Sequence, residues 1–524
     1  MAGMKPHLFL LTLFASISLC AAQDERPEGV PVADTSGEFV SLFNGKDLTG
    51  WEGDKHLWSV EDGAITGQTS EANPLTYNKF LIWGDGELDD FELKLEYRIE
   101  SGNSGIQYRS FLQKGNDKEG NPKTFSVGGY QADLDAARGW AGTNYGEGFG
   151  GILAKRGEKA TLGAEKAREV ETLGDPTELQ AGIKENDWNS FRIVAKGNRL
   201  QQFINGTLMS EVFDNRPEAR PSGILAFQLH VGAPMKVQFR DIQLKRLPLE
   251  GKKKVVLFAG LPSHAPGDHE HNAGCKLLGK LLNEHFGDKI HATVYTNGWP
   301  SDTSAVQNAD ALIMYSDGGS RHIGWWHRRQ LNALRDKGIG LGCIHYAVEM
   351  LPDESNQDLI SWIGGAFEVN YSVNPHWDAE FQDLPDHPVA NGVEPFTIND
   401  EWYFNMRFAD AGVTPILSAV PPEATMSRKD GHHSGNPEVR KMVADKLPQH
   451  VCWVYEREDG GRGFGFTGGH YHANWQNDNH RKTVLNAIAW IAGVEVPESG
   501  VETPTPSDEL MGLNLDPKRP RKKK

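Results

Sequence analysis

Histidines in the second half of this chain sit where strands are expected to end. Gly468-Gly469-His470-Tyr471-His472 follows a short apolar run, His345 closes a glycine-rich one, and Ser263-His264, His269 and His271 come soon after a third. Neutral imidazole is the commonest side-chain metal ligand and the one group that titrates unperturbed near neutrality. His470 and His472, two apart, face one way if their segment is extended. Glu401, beside Trp402 and Tyr403, and Glu349 add carboxylates. Three such nitrogen and oxygen ligands with an open position suit a divalent metal, zinc or calcium. The spacing His-Glu-x-x-His does not occur.

In the first half the chemistry-bearing residues come in pairs two apart: Gln107 and Arg109, Gln131 and Asp133, Gln228 and His230, with Asn103 ahead of them. Alternate side chains of a strand share a face, so these residues can line one concave sheet. Amides, a guanidinium and a carboxylate suit vicinal sugar hydroxyls, which makes Gln107, Gln131, Gln228 and Asn103 candidate binding residues. His230 and Asp133 are candidate bases, and Arg109 is a candidate electrophile for a developing enolate. No acidic pair stands out as a two-carboxylate glycosidase would require. Trp51, Trp58 and Trp83 read as core in preference to sugar platforms.

Two textures must position these groups. Up to about residue 247, short β-type runs alternate with Gly, Asn and Asp. Residues 91–99 alternate apolar and polar, and 191–196 and 199–204 flank Gly197-Asn198 as a hairpin. This pattern predicts an all-β sandwich over 38–247, with the charged stretch 155–179 as an inserted loop. From residue 252 the pattern becomes apolar strands (255–260, 292–295, 311–315, 339–344, 451–455, 464–467) alternating with helices near 275–285, 325–337 and 481–492. That order predicts a doubly wound α/β domain over 252–496, whose ligands sit at the carboxyl ends of its strands.

The bounds agree with two domains, since 524 residues exceed one core. A net charge of −17 argues against nucleic acid as a partner. Residues 1–22 read as a secretory signal, with an apolar run too short to span a bilayer, followed by a leader over 23–37. The expected location is therefore periplasmic or extracellular, with no transmembrane anchor. Beyond the signal only Cys275, Cys343 and Cys452 remain, too few for a disulfide framework. Residues 497–524, rich in Pro, Thr and charge and basic at the end, read as a disordered tail. Oligomeric state is not legible.

Several motifs carry family resemblances. Phe43-Asn44-Gly45-Lys46-Asp47, Gly102-Asn103-Ser104-Gly105-Ile106-Gln107-Tyr108-Arg109, Gly129-Tyr130-Gln131-Ala132-Asp133 and Gly223 to His230 occur in the order of the 3-keto-disaccharide hydrolase domain, which this half resembles. The resemblance implies a concanavalin-like jelly roll that hydrolyses 3-keto-glycosides or eliminates and hydrates them, with a divalent metal. Ser263-His264, His269-Glu270-His271-Asn272-Ala273-Gly274, Gly342 to Ala347, Asp400-Glu401-Trp402-Tyr403 and Gly469-His470-Tyr471-His472-Ala473-Asn474-Trp475 resemble the ThuA-like (trehalose utilisation) domain. That implies a flavodoxin-like fold of the class I glutamine amidotransferase type. Here His345 occupies the elbow where amidotransferases place their Cys, and Cys343 should point into the sheet. The chain therefore reads as an exported enzyme acting on 3-keto-glycosides or keto-sugars. The alternatives are a glycan-binding protein with a degenerate α/β scaffold, and a thiol hydrolase using Cys343.

Overall fold

The computed structural model describes residues 34–518 apart from 85 and 352–354. The expected signal, most of the expected leader and the basic end beyond Lys518 lie outside the described residues. Residues 40–246 form two packed sheets. One has the strand order Arg168–Thr172, Glu158–Leu162, Thr207–Asp214, Arg199–Ile204, Asn189–Lys196, Phe91–Ser101, Lys236–Arg246, Ala64–Gln68, Trp58–Glu61, and Val40–Ser41 pairs beside Lys236–Arg246. The other runs Gly151–Ala154, Asn144–Glu147, Val127–Asp135, Asn103–Leu112, Ile224–Leu229, Lys79–Trp83, Trp51–Glu52.

Strand periodicity sorts the side chains. Leu93, Leu95, Tyr97, Ile106, Tyr108, Tyr130 and Phe227 point inward into one core with Trp51, Trp58 and Trp83. Gln107, Gln131, Asp133 and Gln228 take the opposite face of the second sheet. The expected hairpin is present, with Lys196 opposite Arg199 across Gly197-Asn198. The stretch 155–179 is not a loop: it adds two strands to the larger sheet and ends in the helix Pro176–Ala181. Its surface strand Arg168–Thr172 is exposed throughout, so no buried face marks it in the sequence.

From Lys253 the chain winds a parallel sheet in the order Ile290–Tyr295, Lys253–Ala259, Ala311–Tyr315, Gly340–Ile344, Arg462–Phe466. Two antiparallel strands, Gln449–Glu456 and Val413–Ala419, extend it. Both faces are covered. Val255, Leu257 and Ala259 pack with the helices His271–His285 and Asp478–Ile491, while Val256 and Phe258 pack with Arg328–Asp336 and Ser355–Ile363. A strand buried on both faces reads as a continuous apolar run, which is why residues 255–259 show no alternation.

The two halves meet through buried charge. Arg246 reaches Asp302 at 2.7 Å and Asp89 at 3.4 Å, Lys254 also pairs with Asp89, and Asn308 donates to Asp89 at 3.1 Å. Residues 497–518, expected to be disordered, instead pack on the α/β domain. Val501 and Met511 are buried, the helix Asp508–Gly512 is capped by Ser507, and Lys518 Nζ hydrogen-bonds the carbonyls of Asp268 and His269. A few apolar anchors and backbone bonds hold a segment whose average composition is polar. No helix among the described residues is long and apolar enough to cross a membrane.

Candidate active sites

On the outer face of the second sheet, Asn103, Gln131, Asp133, Asp135, Trp140, Tyr145, Glu147 and His230 line a cleft of about 460 Å³. Neighbouring strands place Gln131 opposite both Gln107 and Tyr145, so these three share a row. Gly105, opposite Asp133, leaves room for the Gln131 side chain: a Cβ there would lie 2.4 Å from the Gln131 amide carbon. A directed chain of bonds follows. Ser110 Oγ donates to Gln107 Oε1 (2.7 Å), Gln107 Nε2 to Gln131 Oε1 (2.6 Å), and Gln131 Nε2 to Asp133 Oδ1 (2.6 Å).

Asp133 is 4% exposed. Burial, with the negative charge of Glu147 and Asp135 nearby, pushes its carboxyl up to about 7 against the pull of the Gln131 bond. Burial also raises Glu147, which His230 and the Asn78 amide oppose. Asn78 ties this wall together, donating to Glu147 Oε1 (3.4 Å) and accepting from the Val231 amide (2.9 Å). A carboxyl able to hold or release a proton near neutrality, beside a second carboxyl and an imidazole, can do acid–base work.

Sequence reasoning placed Asn103, Gln131, Asp133 and His230 here, and the structure brings them together. Gln107 and Gln228 are fully buried beneath the cleft, and neither amide atom of Gln228 has a partner among the described residues. Arg109 is a correction. It has φ +45° at a register shift between Tyr108 and Phe111, so the alternation that should aim it at the cleft breaks. Its guanidinium instead meets Asp90 (2.6 Å), the Asp89 carbonyl and the Gly197 carbonyl at the edge of the sandwich. Glu147, Asp135, Tyr145 and Trp140 were missed. Asp135, two beyond Asp133 on its strand, and Tyr145 and Glu147, two apart on a four-residue strand, carried the same period-two pattern that could have found them; Trp140 carried none.

The second site lies at the carboxyl ends of the parallel strands. His269 follows Lys253–Ala259, Asp317 follows Ala311–Tyr315, His345 follows Gly340–Ile344, and His470 follows Arg462–Phe466. One ligand atom each from His269, His345, Glu401 and His470 lies within 4.8 Å of the others. His269 Nε2 is 3.0 Å from both His345 Nε2 and His470 Nδ1, and Glu401 Oε2 is 3.1 Å from His470 Nδ1. His269 and His345 adopt φ +48° and +58°, left-handed backbone that non-glycine residues keep only where the surroundings hold them.

The hydrogen bonds fix the tautomers. His345 Nδ1 donates to the Thr467 carbonyl and His269 Nδ1 to Asp317 Oδ1, both at 2.9 Å. Burial holds both imidazoles well below their ordinary pKa, hence neutral. Two bare Nε2 lone pairs therefore face each other at 3.0 Å, an arrangement that a shared cation would relieve. Asp317 behind His269 is the carboxylate–imidazole pairing that orients metal-bound histidines. Burial opposes the charge on Glu401, but the His470 bond and the His345 and His376 imidazoles outweigh it and hold the carboxyl below its usual range. These four residues fit a divalent metal, which would supply charge stabilisation to a bound oxygen.

Two expected ligands fall away. His472 starts a 3-10 turn and bonds the Met511 carbonyl at 3.1 Å, so the extended geometry that would have aligned it with His470 is absent. His271 begins the helix His271–His285 and turns its Nδ1 to the Leu261 carbonyl. His264 stacks on His269 at 3.6 Å between ring centroids and stays in the outer wall near Asp317. Cys343 is buried in the sheet with its thiol pushed up by desolvation.

Two family models match. The 3-keto-alpha-glucoside-1,2-lyase-like domain covers residues 38–245, and the ThuA (trehalose utilisation) domain covers residues 254–491. No curated protein matches the chain. Among solved structures, a protein from Parabacteroides distasonis provisionally named a glycosyl hydrolase shares 17% identity over 40% of this chain and 100% of its own, with a TM-score of 0.27. A carbohydrate binding module from Bacillus subtilis shares 16% over 38% and 98%, with a TM-score of 0.24. A protein from Parabacteroides merdae provisionally named ThuA-like shares 17% over 47% and 92%, with a TM-score of 0.33. The chain joins a 3-keto-alpha-glucoside-1,2-lyase-like domain to a ThuA domain.

Proposed function

We propose that the sandwich cleaves 3-keto-glycosides by elimination and hydration, and that Asp133 and His230 move the protons. The observation that carries this reading is the buried Asp133 carboxyl, poised near neutrality in a cleft that also presents Glu147, His230 and an oriented amide. The ketone at C3 acidifies the C2 proton. His230 accepts that proton, the C2–H electron pair forms the C1–C2 double bond, and the C1–O bond breaks. Asp133, protonated up to about pH 7, hands its proton to the departing oxygen. Water then adds across the double bond, so the net change is hydrolysis. Asn103 and Tyr145 are the neutral donors available to the enolate oxygen.

In the α/β domain the His269, His345, His470 and Glu401 set suits zinc better than calcium, because imidazole nitrogens dominate it and calcium prefers oxygen. The leader-like residues 1–22 support a place outside the cytoplasm.

The test is release of a chromogenic alcohol from a 3-keto-glucoside and from the unoxidised glucoside by the full chain. The keto compound alone should react, with deuterium entering C2 in heavy water. His230→Ala and Asp133→Asn should each lower kcat/KM by about 100-fold or more. Binding of both glucosides without turnover of either would establish the glycan-binding alternative.

A further inference from the structure

Beside the His269–His345–His470–Glu401 cluster lies a pair that no part of the reading above uses. Glu349 caps the turn His345–Val348, so the strand end that presents His345 also presents this carboxylate. Its side chain is 4% exposed, and both oxygens meet His433 Nε2, at 3.0 and 3.1 Å. His433 is about a third exposed, and its Nδ1 carries no hydrogen bond among the described residues.

The pair borders the cluster without joining it. The Tyr346 ring centroid is 6.3 Å from His269, 6.4 Å from His433 and 6.2 Å from Tyr403. Tyr403 in turn places its hydroxyl 3.5 Å from His345 Nε2 and 3.4 Å from Glu401 Oε2. On the other flank, Arg428 donates to the His433 carbonyl (2.8 Å) and to Asn374 Oδ1 (2.9 Å), and Asn374 donates to Glu401 Oε1 (3.2 Å). An ion pair that only closed the loop would not need a buried carboxylate beside a ligand cluster. Nor would it need an imidazole whose second nitrogen stays available.

We propose that the α/β domain is a second catalytic centre for α-hydroxy-ketone sugars, in which the Glu349–His433 pair shuttles a proton at the carbon next to the carbonyl of a sugar held at the His/Glu cluster. The proton leaves carbon for the pair and its electron pair becomes the enediolate double bond. A proton then returns to carbon, so no oxidant or co-reactant is consumed. Only the choice of a keto-sugar rests on the reading of the sandwich, whose product would be one.

The experiment uses the full-length protein loaded with cobalt(II), with fructose and 3-keto-glucose as probes in heavy water. Proton magnetic resonance follows exchange at the α-carbon, and the cobalt absorption spectrum follows sugar binding. Wild type should exchange, and Glu349→Gln and His433→Asn should slow exchange about 100-fold or more. Both variants should keep one cobalt and the sugar-induced spectral change, while His345→Ala loses the metal. Fructose has no ketone at C3 for the sandwich to act on, so exchange of fructose reports this centre separately from the sandwich. Absence of exchange in the loaded wild type overturns the proposal. So does equal exchange in the two variants, or loss of cobalt from them.

Discussion

Replacing Asp133 with Asn removes one ionisation from the sandwich and little else, because Asn can still accept the Gln131 amide bond. In the fold, burial and the neighbouring Glu147 and Asp135 carry the carboxyl from 3.8 to about 7. At 1.36 kcal/mol per pH unit this amounts to about 4 kcal/mol once the group is fully ionised. The sign follows from proton binding. The folded chain keeps this proton at pH values where the unfolded chain has released it, so stability falls as pH rises from the unfolded value to about 7 and is flat above. Between about pH 5 and about pH 8 wild type should lose about 2.7 kcal/mol that Asp133→Asn does not. The difference between the two proteins isolates this group from every other titration. Amide hydrogen exchange in the strand Val127–Asp135 of the full chain, at both pH values, reads the local free energy. A difference independent of pH would mean that Asp133 ionises as an ordinary carboxyl, and its role as the acid would fall.

Arg109 and Asp90 are both buried, and burial lowers the one and raises the other, so the pair has little net worth. Arg109→Leu strands the carboxylate and should cost about 3–5 kcal/mol in denaturant unfolding, while turnover per folded molecule stays unchanged. A loss of turnover at full stability would return Arg109 to the chemistry. Lys518, 4% exposed in its side chain, grips the loop of His269 through two carbonyls and Glu270 at 3.2 Å. Lys518→Met should speed zinc transfer to a chelator by about tenfold, the effect expected of lost outer support; an unchanged rate would show the strap to be independent of the site. Cys343, buried with a raised thiol, should label with a maleimide only as fast as the chain unfolds, and rapid labelling of the native protein would revive a thiol mechanism.

The parts of both sites that could be read from the sequence are those where position along a strand determines direction. Gln131 and Asp133 lie two apart on an unbroken strand and do share the cleft. Gln107 and Arg109 have the same spacing, yet a bulge separates them, and nothing in Tyr108-Arg109-Ser110 announces a left-handed backbone. Gln228 keeps the outward face but is fully buried, opposite Phe80 across the sheet, and the cleft opens further along. Asp135 lies two beyond Asp133 and Glu147 two beyond Tyr145, so spacing could give their face but not their effect. Acidic residues near turns are ordinary, and only the folded sheet shows these two raising the pKa of a third.

In the α/β domain the strand-end rule succeeded for the same geometric reason, since parallel strands all deliver their carboxyl ends to one edge. His269, His345 and His470 needed only their strands to be identified for their convergence to follow. Glu401 precedes no parallel strand of that sheet. It follows the short antiparallel strand Phe396–Asp400, and Asp400, accepting from the Gly469 and His470 amides, fixes it there. His472 failed because a 3-10 turn begins at that residue, and side chains there step by about 120° per residue instead of alternating. The cluster therefore depends on where strands stop as much as on which residues they carry. An insertion of one residue between Thr467 and His470 should abolish metal binding while leaving the sheet intact.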